Sequence, residues 1–233
     1  VYYNKGMNTK AVKVAGLSND TILDISMALI NDMGLNKTDN KYLIKLHKDS
    51  DQILLDLLSD GNTLKTLSLA IASGPLILNT EAMKVINAQA EKMFREDTIY
   101  GIKDSTGADR IIGSIQNSYD GNDFFPGVIK KATAYWFKFA TSQMFFNGNK
   151  RTALMSGLYF LAVNGFSWPN INGNELYSIT VAVANKDISQ SELESYIRGK
   201  TGLQYFSTPK QALDNSTATL KFHFTIDNPN INP

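Results

Sequence analysis

Two apolar stretches separated by a short polar segment constrain the fold of this 233-residue chain most strongly. The first covers residues 124–146 and is rich in aromatic side chains, and the second covers residues 150–163. A helix that is apolar on most sides has to be buried within the protein. The sequence therefore predicts two helices that pack at the centre of the molecule, joined by the polar segment.

Weaker periodic patterns elsewhere in the chain predict a mainly α-helical fold with a small β element. Further helical patterns cover residues 22–30, 42–46, 53–58, 80–94, 111–115, 176–185 and 191–198. The break at Ser73-Gly74-Pro75 divides the chain. We expect a helical N-terminal appendage at 1–75, a core at 76–200 and a C-terminal extension at 201–233. Within the extension, strand-like alternation links Leu220, Phe222, Phe224 and Ile226.

Composition excludes several classes of protein. Lysine and arginine total 23 against 22 acidic residues, which argues against bulk binding to DNA, RNA or an anionic membrane. The absence of cysteine removes disulfides and thiolate chemistry, and the two histidines, His47 and His223, are too far apart to predict a multi-histidine metal site. Neither a membrane-spanning run nor a signal-peptide pattern is seen, so we expect a cytoplasmic protein.

The polar segment FFNGNKRT, residues 145–152, has the properties of an anion site. A glycine turn at the start of a helix leaves backbone N–H groups without helical partners, and the helix dipole favours negative charge there. Lys150 and Arg151 would lie in the first turn, where a cation opposes the dipole, and an anionic ligand would explain them. A tight turn with two solvated basic residues is the alternative.

Residues 101–165 resemble the Fic/Doc superfamily, most closely its death-on-curing branch. The resemblance rests on GIKD at 101–104, FFP at 124–126, FFNGNKRTAL at 145–154 and YFLAVNGF at 159–166. It implies a helical Fic/Doc core, a small β-hairpin flap near residues 100–104 that clamps the target backbone, and nucleotide-dependent modification of a hydroxyl on a cytosolic protein such as a translation factor.

The resemblance also gives a role to each residue of the loop. Phe145 would anchor the loop, Asn147 would contact Mg²⁺ carried by ATP or another nucleoside triphosphate, and Arg151 would bind phosphate as a catalytic residue. The nucleotide-binding turn would consist of Gly148, Asn149, Lys150 and Arg151. Lysine at position 150, where adenylyl-transferring relatives have glycine, implies transfer of the terminal phosphate. Adenylyl transfer stays an alternative.

Gln143 stands where the family has its catalytic histidine. Glutamine does not titrate near neutral pH and cannot accept the proton of the target hydroxyl, although it can still form hydrogen bonds. Loss of a general base typically costs about 10²–10⁴-fold in rate. Gln143 is either a natural loss or an engineered change. The chain is therefore either a toxin-like transferase that is impaired by Gln143 or a non-catalytic regulatory or binding protein.

Two other signals concern partners and regulation. The family's inhibitory motif, S/T-x-x-x-E-G/N, has no match, so we expect any regulator to be a separate antitoxin chain. Residues 11–22 loosely resemble a helix-turn-helix, with Ala15 and Gly16 in the turn and Ser18 as a cap. Asp20 and Asp24 on the second helix would repel phosphate, so DNA binding is not expected.

Overall fold

A computed structural model describes residues 9–37, 40–94 and 99–214 of the chain. The predicted strand at 220–226 and His223 lie outside these residues. The described part is mainly α-helical with small sheets, which confirms the predicted fold class. None of its helices is both long enough and apolar enough to cross a bilayer.

The described residues include eight α-helices, eight strands and one 3-10 helix at Leu35–Lys37. The helices are α1 (Asn19–Asp32), α2 (Thr80–Phe94), α3 (Ser105–Gln116), α4 (Gly127–Ala140), α5 (Asn149–Val163), α6 (Gly173–Asn185), α7 (Gln190–Lys200) and α8 (Pro209–Asp214). The strands are β1 (Lys10–Ala15), β2 (Tyr42–Asp49), β3 (Gln52–Ser59), β4 (Asn62–Ala72), β5 (Ser118–Tyr119), β6 (Asn122–Asp123), β7 (Phe166–Ser167) and β8 (Gly202–Leu203).

The two apolar helices lie at the centre, as the sequence predicts. On α4, Tyr135, Trp136 and Phe139 are fully buried, and α4 packs along α5. The first helix is shorter than expected, because α4 ends at Ala140 and residues 141–148 form a loop. Side chains on several faces of both helices are buried, so the site at their junction rests on a rigid base.

The N-terminal segment contains a four-stranded sheet, so the prediction of a purely helical appendage is wrong. The strand order is β1-β4-β3-β2, with β1 parallel to β4 and the other pairs antiparallel. The apolar runs at 42–46 and 53–58, predicted as short helices, are strands β2 and β3. Asp60 and Gly61 connect β3 to β4 with φ angles of 50° and 78°, a two-residue turn that favours a hairpin over a helix end.

The helix-turn-helix interpretation is also wrong. Residues 10–15 form strand β1 rather than a first helix, and Gly16 lies at a strand-to-helix connection with a φ of 82°. Ser18 does cap α1, because its Oγ accepts a hydrogen bond from the Thr21 N–H at 3.1 Å. The acidic side chain of Asp24 is buried against α4 and so does not lie on an exposed DNA-reading surface.

Asp24 joins the N-terminal segment to the core. One of its carboxylate oxygens accepts hydrogen bonds from the N–H groups of Val128 and Ile129 at 2.8 and 3.0 Å, and the other accepts one from Arg198 at 2.6 Å. Burial raises the pKa of Asp24, while these three partners lower it. A single hydrophobic cluster includes residues of β1, α1, β3, β4, α4 and α5. The division into an appendage and a core stays a prediction.

Candidate functional site

The loop between α4 and α5 is held by its own backbone and side chains. Phe145 is 2% exposed, and its ring lies 6.0 Å from that of Phe139, so it occupies the buried position expected of an anchor. Asn149 brackets the backbone of Phe145: its Oδ1 accepts from the Phe145 N–H at 2.9 Å, and its Nδ2 donates to the Phe145 carbonyl at 3.0 Å. These contacts fix the approach of the loop to α5.

Gly148 forms the turn that starts α5. It is the N-cap residue, with φ 70° and ψ 20°, a left-handed conformation that favours glycine. Its N–H donates to Asn147 Oδ1 at 2.7 Å, whereas the N–H groups of Asn149 and Lys150 make no hydrogen bond to any described residue. The turn therefore offers two backbone donors at the positive end of the helix dipole.

A carboxylate of the protein itself already lies against this turn. Glu91 Oε1 on α2 accepts a hydrogen bond from Arg151 Nη2 at 2.8 Å, and the two side chains are 2% and 14% exposed. A Cβ atom at Gly148 would lie 1.8 Å from Glu91 Oε1, so the carboxylate touches the glycine. The buried Glu91 Oε2 has no hydrogen-bond partner among the described residues. The start of α5 thus binds an oxyanion, supplied here by Glu91.

Glu91 is the residue that the sequence analysis missed. The inhibitory motif requires serine or threonine four residues before the glutamate and glycine or asparagine after it, whereas this chain has Asn87 and Lys92. A different signal was present: Asn87 and Glu91 follow Met83 at four-residue spacing, on the buried face of an amphipathic helix. Charged residues are rarely buried without a partner, so Glu91 at such a position points to a cation such as Arg151.

Gln143 lies beside the same turn. Its side chain is exposed, and its Oε1 is 3.5 Å from Asn149 Nδ2. Lys150 is exposed as well. The structure thus brings together the residues proposed from the sequence, namely Gln143, Phe145, Asn147, Gly148, Asn149, Lys150 and Arg151. His47 belongs to a different element, β2, where its Nδ1 is 3.5 Å from Asp56.

The segment expected to form the flap pairs with the loop itself. Ile102 forms an antiparallel bridge with Phe145, the Phe146 N–H donates to the Gly101 carbonyl at 3.0 Å, and the Lys103 N–H donates to the Met144 carbonyl at 2.8 Å. The two-stranded hairpin of this region is β5–β6, farther along the chain. A clamping role for residues 100–104 on a target stays a prediction.

Comparison with known proteins agrees with this geometry. The model of the Fic/DOC family matches residues 77–161, a range that begins just before α2 and ends within α5. No curated protein matches the chain. The match shows that this part of the chain is similar to the Fic/DOC family. The four-stranded sheet lies outside the matched range.

Proposed function

We propose that the chain is a Fic-type transferase that moves a phosphate-containing group from a nucleotide to a protein hydroxyl. One observation carries the proposal: the start of α5 combines the Gly148 turn, two available N–H donors and Arg151, and it already holds the carboxylate of Glu91. A phosphate offers the same kind of oxygen acceptor with more negative charge. Donors of this kind at a helix N-terminus are a common phosphate site.

In this proposal a nucleotide phosphate replaces Glu91 at Arg151 and also accepts hydrogen bonds from the Asn149 and Lys150 N–H groups, which Glu91 does not occupy. Asn147 is the residue that we assign to the divalent cation, because its Oδ1 accepts one bond from the Gly148 N–H and retains a second lone pair. Mg²⁺ bound with ATP, or with another nucleoside triphosphate, would neutralise phosphate charge during transfer. A cytosolic protein, for example a translation factor, would supply the hydroxyl.

Lys150 favours transfer of the terminal phosphate. In that reaction the target oxygen forms a bond to the γ-phosphorus, the bond between the γ-phosphorus and the β–γ bridging oxygen breaks, and ADP leaves. Adenylyl transfer would instead form a bond to the α-phosphorus and release pyrophosphate. In both cases the hydroxyl proton needs an acceptor, which the amide of Gln143 does not provide. We therefore expect transfer to be slow with Gln143 in place.

A second candidate function is a nucleotide-binding regulator that does not catalyse transfer. Two features favour it: Gln143 occupies the position of the base, and Glu91 holds the phosphate-binding arginine. Binding of nucleotide would then exchange Glu91 for phosphate without a chemical step. A separate antitoxin chain, if one exists, would act on either form.

The two functions are distinguished by restoring a base. We expect Gln143→His to transfer label from γ-labelled ATP to a protein of a bacterial lysate about 10²–10⁴-fold faster than the Gln143 protein. Ser142→His places an imidazole one residue away and serves as the matched control, which should stay slow. Incorporation of label from α-labelled ATP would indicate adenylyl transfer instead of phosphoryl transfer. No incorporation from either labelled ATP would favour the non-catalytic regulator.

A further inference from the structure

We infer that Asn87 is a positioning residue that fixes the anion-binding turn and links it to residues 101–103. Asn87 lies on α2 and is fully buried. Its Nδ2 donates to the Asn147 carbonyl at 3.0 Å and to Thr152 Oγ1 at 2.9 Å, and its Oδ1 accepts from the Gly101 N–H at 2.7 Å. One amide group therefore contacts the loop, the first turns of α5 and the segment expected to form the flap.

These contacts close a ring of hydrogen bonds. Gly101 accepts from the Phe146 N–H through its carbonyl, and its own N–H donates to Asn87. The chain then runs from Phe146 to Asn147, whose carbonyl accepts from Asn87. The peptide between Asn147 and Gly148 is thereby held at its oxygen, which restrains the orientation of the Gly148 turn. Buried networks in which each member is satisfied favour one arrangement of the backbone.

An amide suits this position better than the other small polar side chains. The ring requires two donors and one acceptor in a planar fork, and asparagine provides both. Serine and threonine have only one donor, and an ionised aspartate has none. An apolar residue would leave the half-buried Asn147 carbonyl and Gly101 N–H without these partners, which is costly. The residue type at position 87 is therefore explained by the loop rather than by the packing of α2.

The consequence for ligand binding rests on the proposed function, whereas the consequence for the loop does not. If the Asn147–Gly148 peptide is free to rotate, the N–H donors of the turn no longer converge on one position. Groups that support binding residues typically change affinity by about 10–100-fold when they are removed. Residues 145–147 and 101–103 should also move more independently, because Asn87 adds a side-chain connection to the backbone hydrogen bonds between them.

Asn164 provides a matched control. It is also fully buried, accepts from the Leu76 N–H at 2.7 Å, and donates to the Leu76 and Phe160 carbonyls at 3.1 and 2.9 Å. It follows the last residue of α5, at the opposite end of that helix from the turn. Asn164→Ala thus removes a comparable set of buried hydrogen bonds without touching the loop.

The test is amide hydrogen exchange on the full chain, without ligand, for Asn87→Ala, the milder Asn87→Ser and Asn164→Ala. The decisive amides are those of Phe146 and Lys103, which do not bond to Asn87 itself. After correction for global stability, both Asn87 variants should exchange there about tenfold faster, and Asn164→Ala should not. Unchanged exchange at these amides, or an equal change in Asn164→Ala, would overturn the inference.

Titration with ATP and Mg²⁺ separates this inference from the proposed function. We expect the Asn87 variants to bind at least about tenfold more weakly than Asn164→Ala. Equal affinities for the Asn87 and Asn164 variants would contradict the positioning role at the site. If none of the proteins binds ATP, the proposed function fails, while the exchange rates at Phe146 and Lys103 still decide whether Asn87 holds the loop.

Discussion

At the scale of single residues, Glu91 and a nucleotide phosphate would compete for one arginine. The Glu91–Arg151 pair is largely buried, and Glu91 Oε1 touches the Gly148 turn. Breaking one half of a buried ion pair destabilises the protein, because the other charge is left without compensation. A phosphate that replaces the carboxylate avoids this cost for Arg151. We therefore expect the Glu91–Arg151 contact, which stabilises the ligand-free protein, to lower the affinity for a phosphate ligand.

We predict that Glu91→Gln lowers the melting temperature without ligand and raises the affinity for ATP with Mg²⁺ about tenfold, since a charge-assisted hydrogen bond contributes about 1.5–3 kcal/mol. Thermal unfolding and calorimetric titration measure the two effects. Glu81→Gln is the control, because Glu81 lies on the same helix but is 74% exposed in a pair with Lys84. A Glu91→Gln protein with unchanged affinity would show that Glu91 does not compete with the nucleotide.

At the scale of elements, the site depends on the close approach of α2 to the start of α5. Gly148 is required there for two reasons, its positive φ and the nearness of Glu91. Gly34, just after α1, has a similar φ of 66°, but no atom lies within 4 Å of the Cβ that alanine would add. Alanine substitutions at these two glycines therefore distinguish the cost of backbone strain, present at both, from the cost of steric contact, present only at Gly148.

We predict that Gly34→Ala lowers the free energy of unfolding by about 1–2 kcal/mol, the usual cost of a left-handed conformation. Gly148→Ala should lower it by more, because Glu91 has to move as well. In the Glu91→Ala background, Gly148→Ala should cost only the backbone part, because the carboxylate that its Cβ would meet is absent. Urea denaturation measures the two single glycine variants, Glu91→Ala and the double variant, and the double variant is compared with Glu91→Ala. Equal losses for the two single variants would argue against the close packing of Glu91 on the turn.

Elements whose signals are local were predictable from the sequence. Gly148 and the Asn164-Gly165 pair mark the ends of α5, and Ser189 caps α7, with Glu192 completing a capping box. The sheet was not predicted, because short apolar runs fit a strand or a helix equally well and an Asp-Gly pair such as Asp60-Gly61 occurs both in hairpin turns and at helix ends. The spacing of Met83, Asn87 and Glu91 indicates that Asn87 and Glu91 lie on a buried face, but it does not identify their partners Asn147 and Arg151, which are 60 residues away in the sequence.

At the scale of the whole molecule, Asp24 connects three parts of the chain. It caps the start of α4 from α1 and pairs with Arg198 on α7, and its side chain is 2% exposed. Asp20, one turn earlier on α1, is 41% exposed and lies 3.8 Å from Lys130. The two aspartates on one helix thus differ in burial and in the number of partners.

We predict that Asp24→Ala lowers the free energy of unfolding by about 3–5 kcal/mol, since the cap of α4 is lost and the largely buried Arg198 keeps Glu194 but loses Asp24 as an acidic partner. Asp20→Ala should change it by less than about 1 kcal/mol, as expected for a surface pair. Both values come from denaturation followed by circular dichroism. A small effect of Asp24→Ala would indicate that α1 is not anchored to the core through this residue.

The most direct measurement of the central claim, that the start of α5 binds phosphate through Arg151, is a calorimetric titration of ATP with Mg²⁺. Arg151→Ala is compared with the unaltered chain, and both are repeated in the Glu91→Gln background so that no buried carboxylate is left unpaired. Lys48→Ala, which removes one exposed charge from β2, is the control. We predict that removing Arg151 weakens binding about 10–100-fold in both backgrounds and that the control leaves it unchanged. Equal affinities with and without Arg151 would contradict the claim.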